Sequence, residues 1–512
     1  MQFPSGRLAL ISARFRTTIH RAHFITVAGG LAFLLAAPAL VFISCGGSSG
    51  SATPPPVPAI KNVNSSTSPT SPVGLPIEIN GTGFQNSPGQ VVFTQASSGI
   101  TATVTPSSGG WSDTGIAVAV PTGNGTTNFT LPGTVTVAVK TSGGTSNTVD
   151  LNLIQTLTFD VNNVQWTQAT PLPTPLTGLR AAAIPVSDTS AYVVVTGGYD
   201  GSANTSSVYV ASLDPTGNIA GWTASPSALP ETIAHHGMVE ANPENSLVPT
   251  GSAFVYVIGG QVKVGDGATG TTDVFNATFD PTSGAVGKWT GLSSALPKSL
   301  VGPAVTLFDG YVYVIGGLKS DGTPSSDVFS APVNADGTLG GWTLSPNAYP
   351  KGISFATAFG FAGKLYVLGG DSASSTDPNS AGGSTGIQDV NFASAVNGAV
   401  GPWTLTSSTI KNRKKQITWM AFGQIIDAEG VYNGLSLELE RSQISSDSTL
   451  AAFNGITSTA NQINANVYNA AAVVSPVASS AQTPRFILMG GQAISALGAG
   501  AITGNVYFNT AP

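Results

Sequence analysis

Cysteine is almost missing from this 512-residue chain: Cys45 stands alone, so no intramolecular disulfide can form. Histidine is nearly as scarce, and His235 and His236 are the only two beyond residue 23. Neighbours on a strand face opposite ways, so this pair cannot hold one metal ion without a bend. Charged side chains make up only 9% of the residues and the net charge is −6, with no basic block outside the N-terminus, which argues against nucleic acid as a partner. No HExxH helix, phosphate loop or dinucleotide fingerprint occurs, and no Ser/His/Asp set sits at a recognisable nucleophile elbow. The expectation is a chain with no catalytic residues, no metal and no cofactor.

What the chain has instead is glycine, 62 residues of it, set among valine, threonine and serine. With so few charges, that mixture suits turn-rich β structure rather than helices or a disordered tail.

The N-terminus carries Arg7, Arg14, Arg16, Arg21 and His23, then an apolar stretch from Phe24 to Ile43, then Ser44-Cys45-Gly46-Gly47. Basic flank, apolar core and a small residue before the cut are the parts of an export signal. The Phe42-Ile-Ser-Cys45 run resembles the lipobox of bacterial lipoproteins, with Phe42 where that family usually has leucine. The resemblance implies a signal over residues 1–44, lipidation of Cys45 and membrane attachment through that lipid; the alternative is an uncleaved anchor helix. Either way the rest of the chain is expected to be exported to the cell envelope, at the outer membrane or cell surface. Residues 45–57, rich in Gly, Ser and Pro, read as a tether of at most about 40 Å.

Residues 58–153 alternate as half-buried strands do, in Pro76–Asn80, Gln90–Phe93, Ile116–Val120 and Val135–Val139, with turn residues between. The phrases Gly81-Thr-Gly-Phe84, Trp111-Ser-Asp113, Val120-Pro121 and Ser146-Asn147 resemble the IPT/TIG immunoglobulin-like family. That resemblance implies a β-sandwich serving as a spacer or a binding surface.

From residue 160 to 512 a unit repeats. Apolar runs end in paired glycines at Tyr192–Gly198, Val255–Gly260, Tyr311–Gly317, Leu365–Gly370 and Phe486–Gly491. The first glycines of these pairs, Gly197, Gly259, Gly316, Gly369 and Gly490, are spaced by 62, 57, 53 and then 121 residues. The last interval is two periods, and Gly430 falls in its middle, so six units are expected. Gly198, Gly260, Gly317, Gly370 and Gly491 complete the pairs. A second mark recurs at Trp166, Trp222, Trp289, Trp342 and Trp403, with Phe453 in the sixth place. Four short antiparallel strands per unit make a propeller blade. Diglycine and distant tryptophan resemble the kelch family, which implies a six-bladed β-propeller; the fold class expected is all-β throughout. Closure requires the strand near 161–167 to serve as the outer strand of the last unit, beside 506–509. The tryptophans should pack across onto the neighbouring unit, with Trp222→Ala costing about 3–5 kcal/mol.

Loops between the second and third strands and between units emerge on one face. They carry Arg180, His235, His236, Lys298, Lys351 and the Arg413-Lys414-Lys415 run, together with Asp200, Asp266, Asp321 and Asp371. Each of these residues is either a solvated loop charge or part of a ligand-binding rim, and the histidine pair is either a strand-entry feature or a site. The leading expectation is a non-catalytic binding or adhesion module for a protein or polysaccharide. The alternative is an enzyme resembling the sialic-acid mutarotases, with Glu231 and Arg180 or His235 as its acid/base pair. Copper chemistry like that of galactose oxidase needs a Tyr–Cys crosslink and is excluded, because the repeats hold no cysteine.

Overall fold

The computed structural model describes residues 54–510 except 65–68, 156–163, 188–189, 215, 265–268, 376, 381–385, 432–438, 448, 456–466, 476–484 and 496–497. The export signal, Cys45, most of the tether, Asp266 and the first residues of the strand expected at 161–167 lie outside the described residues. Strand dominates what is described, and one short 3-10 turn at Ser108–Gly110 is its only helical element. No described helix is long and apolar enough to cross a membrane. The chain is all-β.

Two sheets form the N-terminal module. Ala59–Val63, Pro76–Thr82 and Gly115–Ala119 pair antiparallel in one. The other runs Thr70–Pro72, Val149–Ile154, Gly133–Thr141, Gln90–Gln95, Ile100–Val104, with Thr70–Pro72 joining parallel. Inward-facing residues of both sheets, among them Ile77, Ile79, Val91, Phe93, Val137 and Leu151, share one core. The sequence motifs have local work here. Gly83 turns with φ 70°, which lets Phe84 drop fully into that core. Trp111 Nε1 donates to the Gln85 carbonyl at 2.9 Å, and Asn147 bridges both backbone groups of Ile60 at 2.8 and 3.0 Å.

Beyond a small three-stranded sheet of Val467–Tyr468, Gln492–Ser495 and Gly498–Ile502, six further sheets follow one pattern. The first holds Arg180–Ser187, Ser190–Thr196, Val208–Leu213 and Thr223–Ala224 in sequence order. The second begins with Gly237–Ala241, the third with Ala304–Phe308, the fourth with Thr357–Phe361 and the fifth with Ile417–Ala421, each continuing outward in the same order. The sixth is Ala471–Val474, Phe486–Met489, Val506–Thr510 and, outermost, Gln165–Ala169. The strand that opens the repeats therefore completes the last sheet, in register from Gln165↔Thr510 to Ala169↔Val506.

The order is cyclic. The first strand of each sheet approaches that of the next, and Ala471–Val474 returns to Arg180–Ser187. Six apolar cores lie between consecutive sheets, the last joining Ile487, Met489 and Phe508 to Val193, Val195 and Tyr209. No sheet could bury both faces alone, and stacking in a ring buries both faces of every sheet.

The paired glycines sit where neighbours touch. Both members have positive φ in five units, as at Gly197 (58°) and Gly198 (107°). A Cβ on Gly197 would stand 2.4 Å from the Ile233 carbonyl oxygen of the next unit, and one on Gly490 2.6 Å from that of Leu176. The second glycine turns its N–H onto the same carbonyl: Gly198 to Ile233 at 2.8 Å, and Gly491 to Leu176, closing the ring, also at 2.8 Å. The fifth unit departs from the expected register by one residue. There Glu429 takes the first glycine's place with φ 58°, and Gly430 the second's with φ 86°.

Tryptophans bridge units as expected, though unequally. The indoles of Trp222, Trp342 and Trp403 donate to the carbonyls of Thr170, Ser294 and Asn347 in the preceding unit, at 3.0, 2.9 and 3.2 Å. Trp166 stacks on Trp419 with centroids 5.7 Å apart. Trp222 is only half-buried, so the large cost expected for its truncation belongs to Trp289, which is 3% exposed.

Pro54–Pro512 forms one compact unit. The N-terminal module is seated on the hairpins of the sheet ring rather than held off it: Glu78 accepts from the Ala362 amide at 2.6 Å, Asn62 donates to Glu244, and Lys364 to Gly109.

Candidate functional site

Six turns converge on the ring axis, one ahead of each first strand. The residues at these turns, Gly178, His235, Gly302, Phe355, Lys415 and Asn469, all have φ between 54° and 63°. Their backbones link to one another around the axis. His235 N–H donates to Gly178 O, Gly302 to His235, Phe355 to Gly302, Asn469 to Lys415 and Gly178 to Asn469, at 2.7 to 3.3 Å. The two glycines are required by their neighbours, because a Cβ at Gly178 would lie 2.6 Å from the His235 ring and one at Gly302 2.5 Å from the Phe355 ring.

Side chains on this ring close one mouth of the axis. His235 and Phe355 meet edge to face at 5.5 Å, and the Lys415 ammonium lies over the Phe355 and Tyr468 rings at 4.9 and 5.6 Å. The segment around Asn379, from the fourth unit, lies across them. Asn379 Oδ1 is 2.9 Å from His235 Nε2, and Lys415 donates to the carbonyls of Pro378 and Ser380 at 2.6 and 2.7 Å. Burial, with the charges of Lys415 and Arg180, pushes His235 down to about 3, so it is neutral. His236 points elsewhere, to the Thr196 hydroxyl at 2.8 Å, and burial holds it well below the usual imidazole range. The two rings diverge, His235 toward Asn379 at the axis and His236 toward Thr196. Burial and the neighbouring Lys414 bring Lys415 down to about 7, against the pull of Asp371 and Asp377.

Beneath this ring lies a cavity of about 180 Å³ to which every sheet contributes, including Arg180, Met238, Val305, Ala358, Thr418 and Ala472. At the strand position that Arg180 occupies, the other units carry Gly237, Ala304, Thr357, Ile417 and Ala471. One cation faces five neutral residues. Its guanidinium donates to the Leu179 carbonyl at 2.8 Å, and removal from bulk water pushes it down to about 10, still protonated at neutral pH. No carboxylate is among the described residues that line the cavity.

The other residues expected on the rim are engaged elsewhere. Lys298 pairs with Asp327 at 2.6 Å and Lys351 with Asp389 at 2.5 Å. Asp200 and Asp321 accept from amides and hydroxyls of their own turns, which holds both carboxyls below the usual range. The Arg413-Lys414-Lys415 run is not a solvated patch. Arg413 is fully buried, 3.4 Å from both Asp427 and Glu440, and Lys414 pairs with buried Asp371 at 2.9 Å. Glu231 is raised by burial and by Asp273, and it is not among the described residues lining the cavity that holds Arg180. Among the described residues no group of three His, Cys, Asp or Glu could hold a metal ion.

Neither the protein-family models nor the curated proteins compared with this chain give a match.

Proposed function

We propose that the chain is an exported, lipid-anchored envelope protein built from an IPT/TIG-like immunoglobulin module and a six-bladed kelch-type propeller. In this reading it is a non-catalytic binding module whose ligand occupies the axial cavity. The cyclic sheet order, the diglycine contacts and the strand shared by both ends of the repeats support the propeller. Two sheets over one core, with Phe84 and Asn147 in structural roles, support the immunoglobulin-like module. The anchor rests on the run ending at Cys45.

One observation carries the functional reading: an arginine with no carboxylate partner among the described residues lines a cavity, open on one side, to which all six units contribute. A charge drawn part-way out of bulk water with no opposite charge beside it is costly, and a ligand would compensate it. Among the rim residues first considered for docking a protein or polysaccharide, Lys298, Lys351, Arg413 and Lys414 pair with carboxylates of the chain itself. The envelope location is tested by labelling cells with radioactive palmitate. Wild-type protein should carry label in the membrane fraction and Cys45→Ser should not; equal labelling of the two refutes the anchor. The binding reading is tested by soaking crystals of the protein in concentrated small-molecule mixtures: density inside the axial cavity supports it, and ligand seen only on the outer loops counts against it.

A further inference from the structure

We infer that the axial cavity is a site for a small organic carboxylate, about one six-membered ring in size, with Arg180 as the group that grips its acid end. The inference rests on reading the cavity as the ligand position, and it names the chemistry that position selects.

Size comes first. The cavity measures about 180 Å³. An engineered protein cavity of about 150 Å³ takes up one benzene, so a single ring with a short polar arm fits inside it.

Chemistry comes next. The wall exposes more polar than apolar surface, with the aliphatic side chains of Met238, Val305, Ala358, Ile417 and Ala472 between polar groups. Such a mixed wall suits a compact ring that carries hydrogen-bonding groups. Arg180 is one of the polar groups on this wall, and Thr357, Thr418, Gln416 and Asn469 are neutral hydrogen-bonding residues elsewhere on it. A guanidinium presents a planar fork of donors that matches a carboxylate in two parallel bonds. Only one donation from Arg180 is taken up inside the protein, by its own neighbour's carbonyl.

Charge decides the sign. Arg180 and Lys415 are the ionisable groups lining the cavity, and neither meets a lining carboxylate. His235 and His236 stand nearby but stay neutral. A cationic or zwitterionic ligand would bring a second positive charge into the cavity, and a neutral one would leave the guanidinium unmatched. Placing the acid against Arg180 gives its guanidinium, which meets no carboxylate among the described residues lining the cavity, an ion-pair partner. The six-fold comparison sharpens the point. A packing requirement would be met at this position by any of the small or aliphatic residues the other five units use, and only the first unit departs from them.

The test is equilibrium binding to the full-length protein in detergent micelles, measured by titration calorimetry. The probes are benzoate and D-glucuronate, each against its neutral counterpart, benzamide and D-glucose. At least one acid should bind ten-fold or more tightly than its neutral counterpart. Arg180→Gln should abolish that preference without lowering the melting temperature, and Arg180→Lys should retain part of it. If acid and neutral probes bind equally, or if the preference survives Arg180→Gln, the carboxylate assignment is wrong while the cavity remains a ligand site. If none of the four probes binds, the cavity reading fails and this inference fails with it. The comparison of acid with neutral probe is made on the wild-type protein, so it stands even where a variant folds poorly.

Discussion

Glu78 offers the sharpest test of how the N-terminal module meets the sheet ring. It lies on strand Pro76–Thr82, 4% exposed, and accepts the Ala362 amide at a hairpin tip where Ala362 holds φ 49°. Burial raises its carboxyl to about 7, against the hydrogen bonds from Ala362 and Asn80 and with a smaller push from Asp309. The folded state therefore holds a proton that the unfolded chain, with an ordinary value of 4.5, releases earlier. The associated stability is fully present below about pH 4.5, falls as the pH rises through 7, and is gone above. A rise from 4.5 to about 7 is worth about 3 kcal/mol at roughly 1.4 kcal/mol per pH unit. Glutamine keeps an acceptor for the Ala362 amide and cannot ionise. Urea unfolding of the wild type and of Glu78→Gln from pH 4.5 to 8.5 should show the variant gaining about 3 kcal/mol on the wild type across that range. Other buried acids, Glu240, Asp427 and Glu429, titrate in the same window but are common to both proteins and cancel in the difference. Parallel stability profiles would show that Glu78 is not buried against the ring.

Trp289→Ala should cost about 3–5 kcal/mol and half-buried Trp222→Ala clearly less, measured by the same unfolding assay. Equal losses would contradict their different burial. Arg413→Met should destabilise by about 3–5 kcal/mol, because Asp427 and Glu440 are left buried without their cation. A loss under about 0.5 kcal/mol is what a solvated docking arginine would give, and it would restore the surface reading of that run.

Much of the architecture was readable because its marks are backbone marks. Glycine pairs recur where a left-handed turn meets a neighbour's carbonyl, and few other residues tolerate that geometry. The strand near residue 165 was expected to finish the last sheet, and it does, two to four residues further along than its expected span. The Glu429 substitution hid the fifth unit's register. Its carboxyl accepts the Val467 amide at 3.0 Å, so the left-handed turn is kept by a side chain that no glycine search would find. The axial ring was illegible for a similar reason. Its six turns share a conformation but not a residue type, running from glycine to phenylalanine to lysine. The Arg413-Lys414-Lys415 run read as surface charge because sequence shows the cations and not Asp371, Asp427 and Glu440, which arrive from distant strands to neutralise Arg413 and Lys414. Arg180 appeared as one loop charge among many; only the comparison of equivalent strand positions sets it apart.

The central claim is that the two ends of the repeats are clasped in one sheet. Gln165 and Thr510 face each other across that clasp, 345 positions apart in sequence, with the Thr510 hydroxyl 3.3 Å from the Gln165 carbonyl. In a Cys45→Ser background, the pair Gln165→Cys and Thr510→Cys should oxidise to one intramolecular disulfide, seen as a faster-migrating species on non-reducing gels. Chain entropy sets an upper bound of about 5–6 kcal/mol on the stabilisation from so long a loop. A monomer that forms no crosslink, or that crosslinks only between molecules, would contradict the closed ring.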